Sequence, residues 1–269
     1  MADELPDWAP TTVDLDRPNA ARVYDYLLGG ACHFEHDRVF ADKLLETIPE
    51  ARNAARRNRA FLRRAVKLCV GQGIRQFLDI GSGIPTVGNV HEIAQKAAPD
   101  ARVLYVDNEP VAVAHSELIL KDNDLADAVL ADFSDPDTIL GSAPARRLLD
   151  FDQPIAVLLA AVLHFVPDSA NPRHTVARYV EGMAPGSYLV LSPAARVTVQ
   201  RSQEGWQMYE ESTTPGGGRT IEQVTEFMTG TELLEPGVVW TPEWRPEADT
   251  DVGDHPELSF VYAAVGHKP

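Results

Sequence analysis

Five short apolar runs, rich in Val, Ile and Leu, recur through the middle of the chain. They cover residues 75–80, 102–107, 127–132, 154–160 and 187–192. The apolar residues are continuous within each run rather than alternating, which is typical of strands covered on both faces. The pattern therefore predicts an α/β fold built on a mostly parallel sheet with helices on each side.

Segments of helical pattern separate these runs, and the rhythm changes after the fifth. We expect helices at 88–98, at 110–121, in a short stretch near 135–140, at 171–183 and at 221–228. The polar segment 195–220 ends in a glycine loop and is predicted to be an insertion. Two final strands, at 237–240 and 257–266, are expected to pair antiparallel.

The chain also begins with a long segment that the strand pattern does not cover. Residues 18–70 have a mostly helical pattern. We predict an N-terminal helical extension over residues 1–70 that packs on a ligand-binding domain over residues 71–269.

Composition narrows the class of partner. The net charge is −16, from 40 acidic and 24 basic residues, and such a field repels phosphate backbones. We therefore expect no nucleic-acid partner. The basic residues that cluster in 51–67 are interpreted as a solvated helix face, with anion binding as the alternative.

The apolar runs, the start of the chain and the cysteine content indicate where the protein is located and whether it binds a metal. No apolar run approaches the roughly 20 residues of a membrane helix, and the acidic start of the chain lacks the features of a signal peptide. The two cysteines form neither a disulfide framework nor a CxxC pair. These features predict a cytoplasmic protein with no membrane partner and no metal site; they leave the oligomeric state open.

Glycines and carboxylates stand where the first two predicted strands end. In an open α/β sheet, ligands bind beyond the carboxyl ends of the strands. Asp79, Gly81 and Gly83 end the first strand, and glycines allow a tight turn and a close approach of backbone to ligand. Asp107 ends the second strand, 24 residues after Gly83, near the roughly 20 expected for a carboxylate that accepts both ribose hydroxyls.

Similar residues follow the next two strands. Asp132 and Phe133 could meet an exocyclic amine and a purine face, and His164 and Asp168 follow the fourth strand. Each of these residues alone could be a loop, cap or backbone-satisfying residue. Their recurrence at adjacent strand ends favours a ligand that carries ribose and adenine.

These stretches resemble a known family. The fragments "FLDIGSGIPT", "GNVHE", "VLYVDNEP", "ADFSDP" and "VLHFVPD", preceded by "RPNAARVYDYLLGG", are similar to an actinobacterial family of predicted S-adenosylmethionine-dependent methyltransferases long labelled as a domain of unknown function. The likeness runs from about residue 10 to the end. It implies the class I methyltransferase fold: a Rossmann-like, seven-stranded, mostly parallel sheet whose last strand is antiparallel.

The resemblance also implies S-adenosylmethionine as cofactor and gives the strand-end residues roles. Its methionine end would lie along Asp79, Gly81 and Gly83. Asp107 would hold the ribose hydroxyls with Asn108 beside it, and Asp132 with Phe133 would flank the adenine. In this family Pro85 is normal, whereas a dinucleotide fold would need a third glycine there.

Three further hypotheses concern catalysis. His164 is the candidate general base, because its ordinary pKa lies near neutrality. Tyr24, Asp25 and Gly29 would belong to a lid over the methionine portion, or to a helix that is permanently docked. Trp206, Met208 and Tyr209, in the insertion, would form the pocket for a small organic acceptor, or part of the core.

Rival functions stay open at this stage. A nicotinamide-dependent oxidoreductase would need the glycine that Pro85 replaces. A non-catalytic module that binds S-adenosylmethionine or S-adenosylhomocysteine would keep the same glycines and Asp107. A methyltransferase acting on DNA or RNA is disfavoured by the charge and by the lack of an Asn-Pro-Pro-aromatic motif after the fourth strand.

Overall fold

The computed structural model describes residues 9–11, 13–85, 88–197 and 200–269. The acidic residues 1–8, on which part of the signal-peptide prediction rests, lie outside them. The strands are β1 Gln76–Ile80, β2 Arg102–Asp107, β3 Ala126–Leu130, β4 Ala156–Ala160, β5 Tyr188–Ser192, β6 Glu232–Leu233, β7 Val239–Trp240 and β8 Tyr262–His267.

The strands form one sheet in the order β3-β2-β1-β4-β5-β8-β6, and the two-residue β7 also pairs with β8. Strands β1 to β5 are parallel to their neighbours, whereas β8 runs antiparallel to β5. The strand order reverses between β1 and β4. This arrangement confirms the predicted class I fold, although the described sheet has eight strands and not the seven expected. It puts the ligand-binding crevice at the carboxyl ends of β1 and β4.

Ten helices are described. They are α1 Ala20–Leu28, α2 Glu35–Thr47, α3 Ala51–Gly71, α4 Val90–Ala97, α5 Pro110–Leu120, α6 Pro136–Gly141, α7 Ala143–Leu148, α8 Pro172–Gly182, α9 Gln200–Tyr209 and α10 Ile221–Phe227. Their starts follow local chemistry. Asn19 caps α1 through its side chain, α4 has a capping box, and proline opens α5 and α8.

The two faces of the sheet carry separate apolar clusters. Helices α3, α4 and α5 cover one face, where Phe77 and Val103 point, and helices α6, α7, α8 and α10 cover the other, where Leu78 and Leu104 point. Alternate residues of one strand are thus buried on opposite sides. This is why the strands read as continuous apolar runs.

Helix α3 belongs to this layered core although it precedes the first strand. It buries Phe61, Leu62 and Val66 against the sheet face. The guanidinium of Arg64, itself buried, donates to the carbonyl oxygens of Thr241 and Trp244 near the end of the chain. The division at residue 70 stays a prediction, since α3 shares its apolar cluster with the sheet.

Helices α1, α2 and α9 form a smaller assembly, which we call the cap. Val23, Leu27, Phe40 and Leu44 form its apolar centre, with Tyr209 packed against them. A Cβ on Gly205 of α9 would lie 2.7 Å from Ile48 Cδ1, so any larger residue there would require the Ile48 side chain to shift. Residues far apart in sequence therefore build one unit.

Some predicted elements differ in extent, although the antiparallel pairing expected for the two final strands is confirmed between β7 and β8. The strand expected at 237–240 is reduced to β7, and β6 takes the outer place in the sheet. The start of the strand expected at 257–266 is a 3-10 turn, Pro256–Ser259. Helices α7 and α9 were not predicted.

The described part of the chain contains neither a membrane-spanning helix nor a cluster of metal ligands. No helix there has the length and apolarity to span a bilayer. No cluster of three or more His, Cys, Asp or Glu side chains there could hold a metal ion.

Candidate active site

A cavity of about 550 Å³ lies at the carboxyl ends of β1 and β4, beneath the cap. It brings together most of the residues singled out from the sequence. Those lining it are Tyr24, Asp79, Gly81, Gly83, Asp107, Asn108, Asp132, Phe133 and His164, with Trp206 and Tyr209 of α9. Asp25, Gly29 and Met208 are not among the lining residues.

The turn after β1 has no room for a side chain at Gly81. Gly81 has φ 68°, and a Cβ there would overlap Val162 Cγ2. The N–H groups of Gly81 and Ser82 both donate to the Val106 carbonyl oxygen, at 2.7 and 3.1 Å. The turn therefore lies directly between the end of β2 and the segment that follows β4.

Asp107 joins that turn to the second strand. Its Oδ2 accepts from the Gly83 N–H at 2.7 Å, and its Oδ1 accepts from the Glu109 N–H at 2.9 Å. Burial raises the pKa of Asp107, and these backbone hydrogen bonds oppose the shift. Each carboxylate oxygen has a further lone pair, so the group can still accept from a vicinal diol in the cavity.

Asp79 is the most perturbed carboxyl group in the cavity. Burial raises its pKa to about 7, the charge of Arg59 opposes this shift, and that of Asp107 adds to it. Its side chain is 3% exposed and has no hydrogen-bond partner among the described residues. A carboxyl group in this environment can bind a cation or accept a hydrogen bond from a donor.

Arg59 is a cavity residue that the sequence interpretation missed. It lies on α3 within the basic cluster that we assigned to a solvated face, yet its side chain lines the cavity and its charge acts on Asp79. Arg56 and Arg63, on the same helix, are exposed, as expected for a solvated face. The cluster was the available signal, but helical spacing alone could not say which arginine faces inward.

The ends of β2 and β3 are tied together at the cavity rim. Asn108 Nδ2 donates to Asp132 Oδ2 at 3.0 Å, and Asp132 Oδ1 accepts from the Ser134 N–H. Burial alone would raise the pKa of Asp132, but hydrogen bonds from Ser134 and Asn108 outweigh it and lower the pKa. Phe133 is held by its carbonyl oxygen, which accepts from the Tyr179 hydroxyl at 2.8 Å.

Of the three predicted lid residues, only Tyr24 lies at the cavity. Its hydroxyl donates to the Ala55 carbonyl oxygen at 3.1 Å, which fixes α1 to α3. Asp25 is buried, and its Oδ2 accepts from the Cys32 N–H at 2.8 Å. Gly29, at φ 86°, ends α1. Asp25 and Gly29 thus shape the turn after α1, and the structure does not place them at the cavity wall.

The geometry of His164 does not suit a general base. The Ala194 N–H donates to its Nδ1 at 3.0 Å, so the neutral ring carries its hydrogen on Nε2. Burial lowers the pKa of His164 to about 3, and the charge of nearby Arg219 adds to this shift. The ring therefore offers a donor rather than a proton acceptor at neutral pH.

Two aromatic rings pack beside His164, and a third packs against those two. Phe165 and Trp206 lie 4.2 and 5.5 Å from its ring, centroid to centroid, and Tyr209 lies 5.5 Å from Phe165. Trp206 and Tyr209 thus face the cavity, one of the two possibilities left open by the sequence. Met208 packs within the cap instead.

A buried ion-pair network fixes the cap to the sheet. Arg22 is 1% exposed and donates to Asp37 at 2.8 Å and to Glu109 at 3.0 Å. Glu109 also donates its N–H to Asp107. Helix α1 is therefore linked through one residue to the carboxylate at the end of β2.

The chain matches known proteins over nearly its whole length. The family model described as S-adenosyl methyltransferase matches residues 6–269. A candidate methyltransferase from Thermobifida fusca YX is 38% identical with a TM-score of 0.91, covering 98% of this chain and 99% of that one. A DUF574 family protein from Streptomyces avermitilis MA-4680 is also 38% identical, with a TM-score of 0.90 and coverage of 95% and 99%.

More distant structures share the fold. The N-methyltransferase NodS of Bradyrhizobium japonicum WM9, in complex with S-adenosylhomocysteine, is 16% identical with a TM-score of 0.50 and covers 92% of this chain and 99% of its own. No curated protein matches the chain. The full-length match to the family model and the two relatives at 38% identity show that the chain belongs to the S-adenosyl methyltransferase family and uses S-adenosylmethionine as its cofactor.

Proposed function

We propose that this methyltransferase acts on a small organic acceptor that is enclosed between the sheet and the cap. The observation that carries the proposal is one continuous cavity, which runs from the glycine turn and carboxylates of β1 and β2 to the aromatic side chains of α9. A cavity of about 550 Å³ is in the range of small-molecule sites. The charge of −16 disfavours a nucleic-acid acceptor.

The residues present fit the cofactor. Gly81 leaves the backbone bare at the turn, Asp107 can accept from both ribose hydroxyls, and Asp132 with Phe133, which also line the cavity, would flank the adenine. Asp79 and Arg59 supply a negative and a positive group for the amino and carboxylate groups of the methionine portion. The cofactor, when bound, supplies an activated methyl group, so the protein chiefly orients the acceptor and excludes water.

The first test is calorimetric titration with S-adenosylmethionine, S-adenosylhomocysteine and NAD, on the wild type and on Asp107→Asn. Asparagine can accept only one of the two backbone N–H bonds that Asp107 accepts, so thermal melting must accompany each titration. We expect the two sulfur nucleosides to bind the wild type and to bind the folded variant at least tenfold more weakly. Binding of NAD instead, or unchanged affinity in the variant, would contradict the assigned site.

Arg59 allows a sharper test of orientation. Arg59→Met should weaken S-adenosylhomocysteine binding by roughly 10–100-fold, the usual value of a hydrogen bond to a charged group. It should leave 5′-methylthioadenosine binding unchanged, because that nucleoside lacks the amino and carboxylate groups. Arg56→Met, on the exposed face of the same helix, is the matched control. Equal losses of affinity for both nucleosides would show that Arg59 does not bind the methionine portion.

Turnover separates the enzyme from a module that only binds the cofactor. Transfer of labelled methyl groups from S-adenosylmethionine to a library of small organic compounds should exceed the rate without protein. Binding of the cofactor without transfer of methyl groups to any acceptor would favour the alternative function, a non-catalytic cofactor-binding module.

A further inference from the structure

The acceptor end of the cavity offers aromatic surface and almost no titratable groups. Around His164 the walls are Phe165, Trp206 and Tyr209, and the aliphatic side chains of Leu44 and Ile48 extend them. Flat aromatic rings bind well against aromatic side chains, through offset or edge contacts. This surface therefore favours a flat aromatic acceptor.

Within the described residues, this end holds no group that takes up a proton at neutral pH. His164 uses Nδ1 to accept from the Ala194 N–H, which leaves hydrogen on Nε2. Tyr209 is a partly buried phenol, and desolvation raises its pKa further, so it keeps its proton at neutral pH. The charged neighbours of His164 are Arg219, which bonds the Leu163 and Val166 carbonyl oxygens, and Asp168, which pairs with Arg219.

His164 supplies a hydrogen-bond donor at this surface. His164 lines the cavity, and its Nε2 has no hydrogen-bond partner among the described residues. An atom that accepts from Nε2–H and also attacks a methyl group needs two lone pairs. An amine nitrogen has one, whereas an ionised oxygen has three.

We propose that the acceptor is a flat aromatic compound whose nucleophile is an oxygen already ionised in solution, and that His164 donates Nε2–H to that oxygen. The inference rests on the proposed function. The oxygen loses its proton to water before it binds. It then forms the new O–CH₃ bond as the C–S bond breaks, and the electron pair of that bond stays on sulfur.

The apolar walls favour a reaction between an anionic oxygen and a cationic sulfonium. An anionic oxygen and a cationic sulfonium become a neutral ether and a neutral thioether, so charge is neutralised as the reaction proceeds. Opposite charges attract strongly in a cavity of low dielectric, and no protein group has to accept a proton there. A neutral alcohol would instead require a base that this end of the cavity lacks.

The pKa of the acceptor, and not that of an enzyme residue, should govern how the rate of methyl transfer depends on pH. Transfer to phenol, 4-cyanophenol, 4-nitrophenol and 1-naphthol should rise with pH, and the midpoint of the rise should follow the pKa of each phenol. Benzyl alcohol and benzylamine, of similar size, should be poor acceptors. A midpoint that is constant across the phenols would show an enzyme base and overturn the proposal, as would preference for benzylamine.

Two substitutions separate the roles of the two ring nitrogens. Asparagine can place an oxygen near the Nδ1 position, so His164→Asn should keep the bond from Ala194 and melt near the wild type. It should lose about 10–100-fold in kcat/KM, the value of a hydrogen bond to a charged group. Glutamine can place an N–H near the Nε2 position, so His164→Gln should melt lower yet keep more turnover. The reverse order would overturn the assigned role.

Two readouts do not depend on turnover. The ¹⁵N shifts of the His164 ring should show hydrogen on Nε2 at pH 6–8, and 4-nitrophenolate should quench Trp206 fluorescence with weaker affinity in His164→Asn. A ring protonated on Nδ1, or no binding of the phenolate, would refute the proposal. If S-adenosylhomocysteine binds but no phenol is methylated, the acceptor class fails alone; if it does not bind, the proposed function fails as well.

Discussion

Replacement of Asp79 by asparagine should stabilise the protein without cofactor at high pH. Burial holds the pKa of Asp79 at about 7, against 3.8 for the ordinary side chain. The difference of about 3 pKa values, at about 1.4 kcal/mol each, corresponds to about 4 kcal/mol. This is the largest electrostatic cost that the carboxylate can impose on the folded state, because the side chain is almost fully buried.

The pH range of this effect follows from the direction of the shift. Between about pH 4 and pH 7 the folded state retains a proton that the unfolded state has released, so the free energy of unfolding falls as pH rises. Above pH 7 both states are ionised, and the full cost is present. Asparagine carries no charge at any of these pH values. Asp79→Asn should therefore match the wild type near pH 4 and exceed it by up to about 4 kcal/mol at pH 8.

Urea unfolding followed by circular dichroism at pH 5, 6, 7 and 8, without cofactor, measures this difference. Asp132→Asn is the matched control, because hydrogen bonds lower the pKa of Asp132 and its replacement should not stabilise the protein at pH 8. A difference between Asp79→Asn and the wild type that does not change with pH, or a variant less stable at pH 8, would refute the reasoning.

Cofactor binding supplies a second measurement on the same group. An amino group bound beside Asp79 should lower the pKa of that carboxyl, so wild type should release up to one proton on binding at pH 6 and fewer at pH 8. Titrations in two buffers of different ionisation enthalpy count these protons. Asp79→Asn should release none; equal release from both proteins would place the amino group elsewhere.

Three other substitutions test the architecture of the site. Gly81→Ala should abolish S-adenosylhomocysteine binding, because its Cβ would overlap the valine that follows β4. Gly83→Ala has open space around its Cβ and should lose less affinity and less stability. Equal melting temperatures and equal affinities of the two variants would contradict this difference. Arg22→Met should cost about 3–5 kcal/mol in urea unfolding, by leaving buried carboxylates unpaired, and the exposed Arg17→Met about 0–1 kcal/mol. Arg219→Lys should cost at least about 2 kcal/mol, because lysine cannot reproduce the several carbonyl bonds of the guanidinium; wild-type stability would contradict that role.

Local patterns predicted the parts of the fold that depend on neighbours in sequence. The five parallel strands, the glycine turn and the carboxylates at the strand ends follow from apolar runs and from residues next to them. The short strands β6 and β7 could not be located in this way, because two residues carry no periodicity. Helix α9 was missed since its sequence is polar and its apolar residues are few.

Differences between the predicted and the observed site have a similar origin. Asp25 was expected in a lid over the methionine portion or in a permanently docked helix, and in the structure its carboxylate accepts from a backbone N–H in the turn after α1. His164 was assigned as a base from its ordinary pKa, and only the Ala194 N–H donating to Nδ1 shows that the ring is a donor. Arg59 looked like its exposed neighbours until its helix was packed against the sheet.

Short segments of sequence were enough to predict the parallel strands, the cofactor class and the places of Asp79, Gly81 and Asp107 at strand ends, because these depend on the chemistry of consecutive residues. The packing of distant segments fixed the order of the strands in the sheet, which arginine of α3 faces the cavity, which nitrogen of His164 bears the hydrogen, and that α9 closes over α1 and α2. Each of these depends on contacts between segments far apart in the chain. Burial and hydrogen bonding at such contacts, rather than residue type, set the charge and direction of each group.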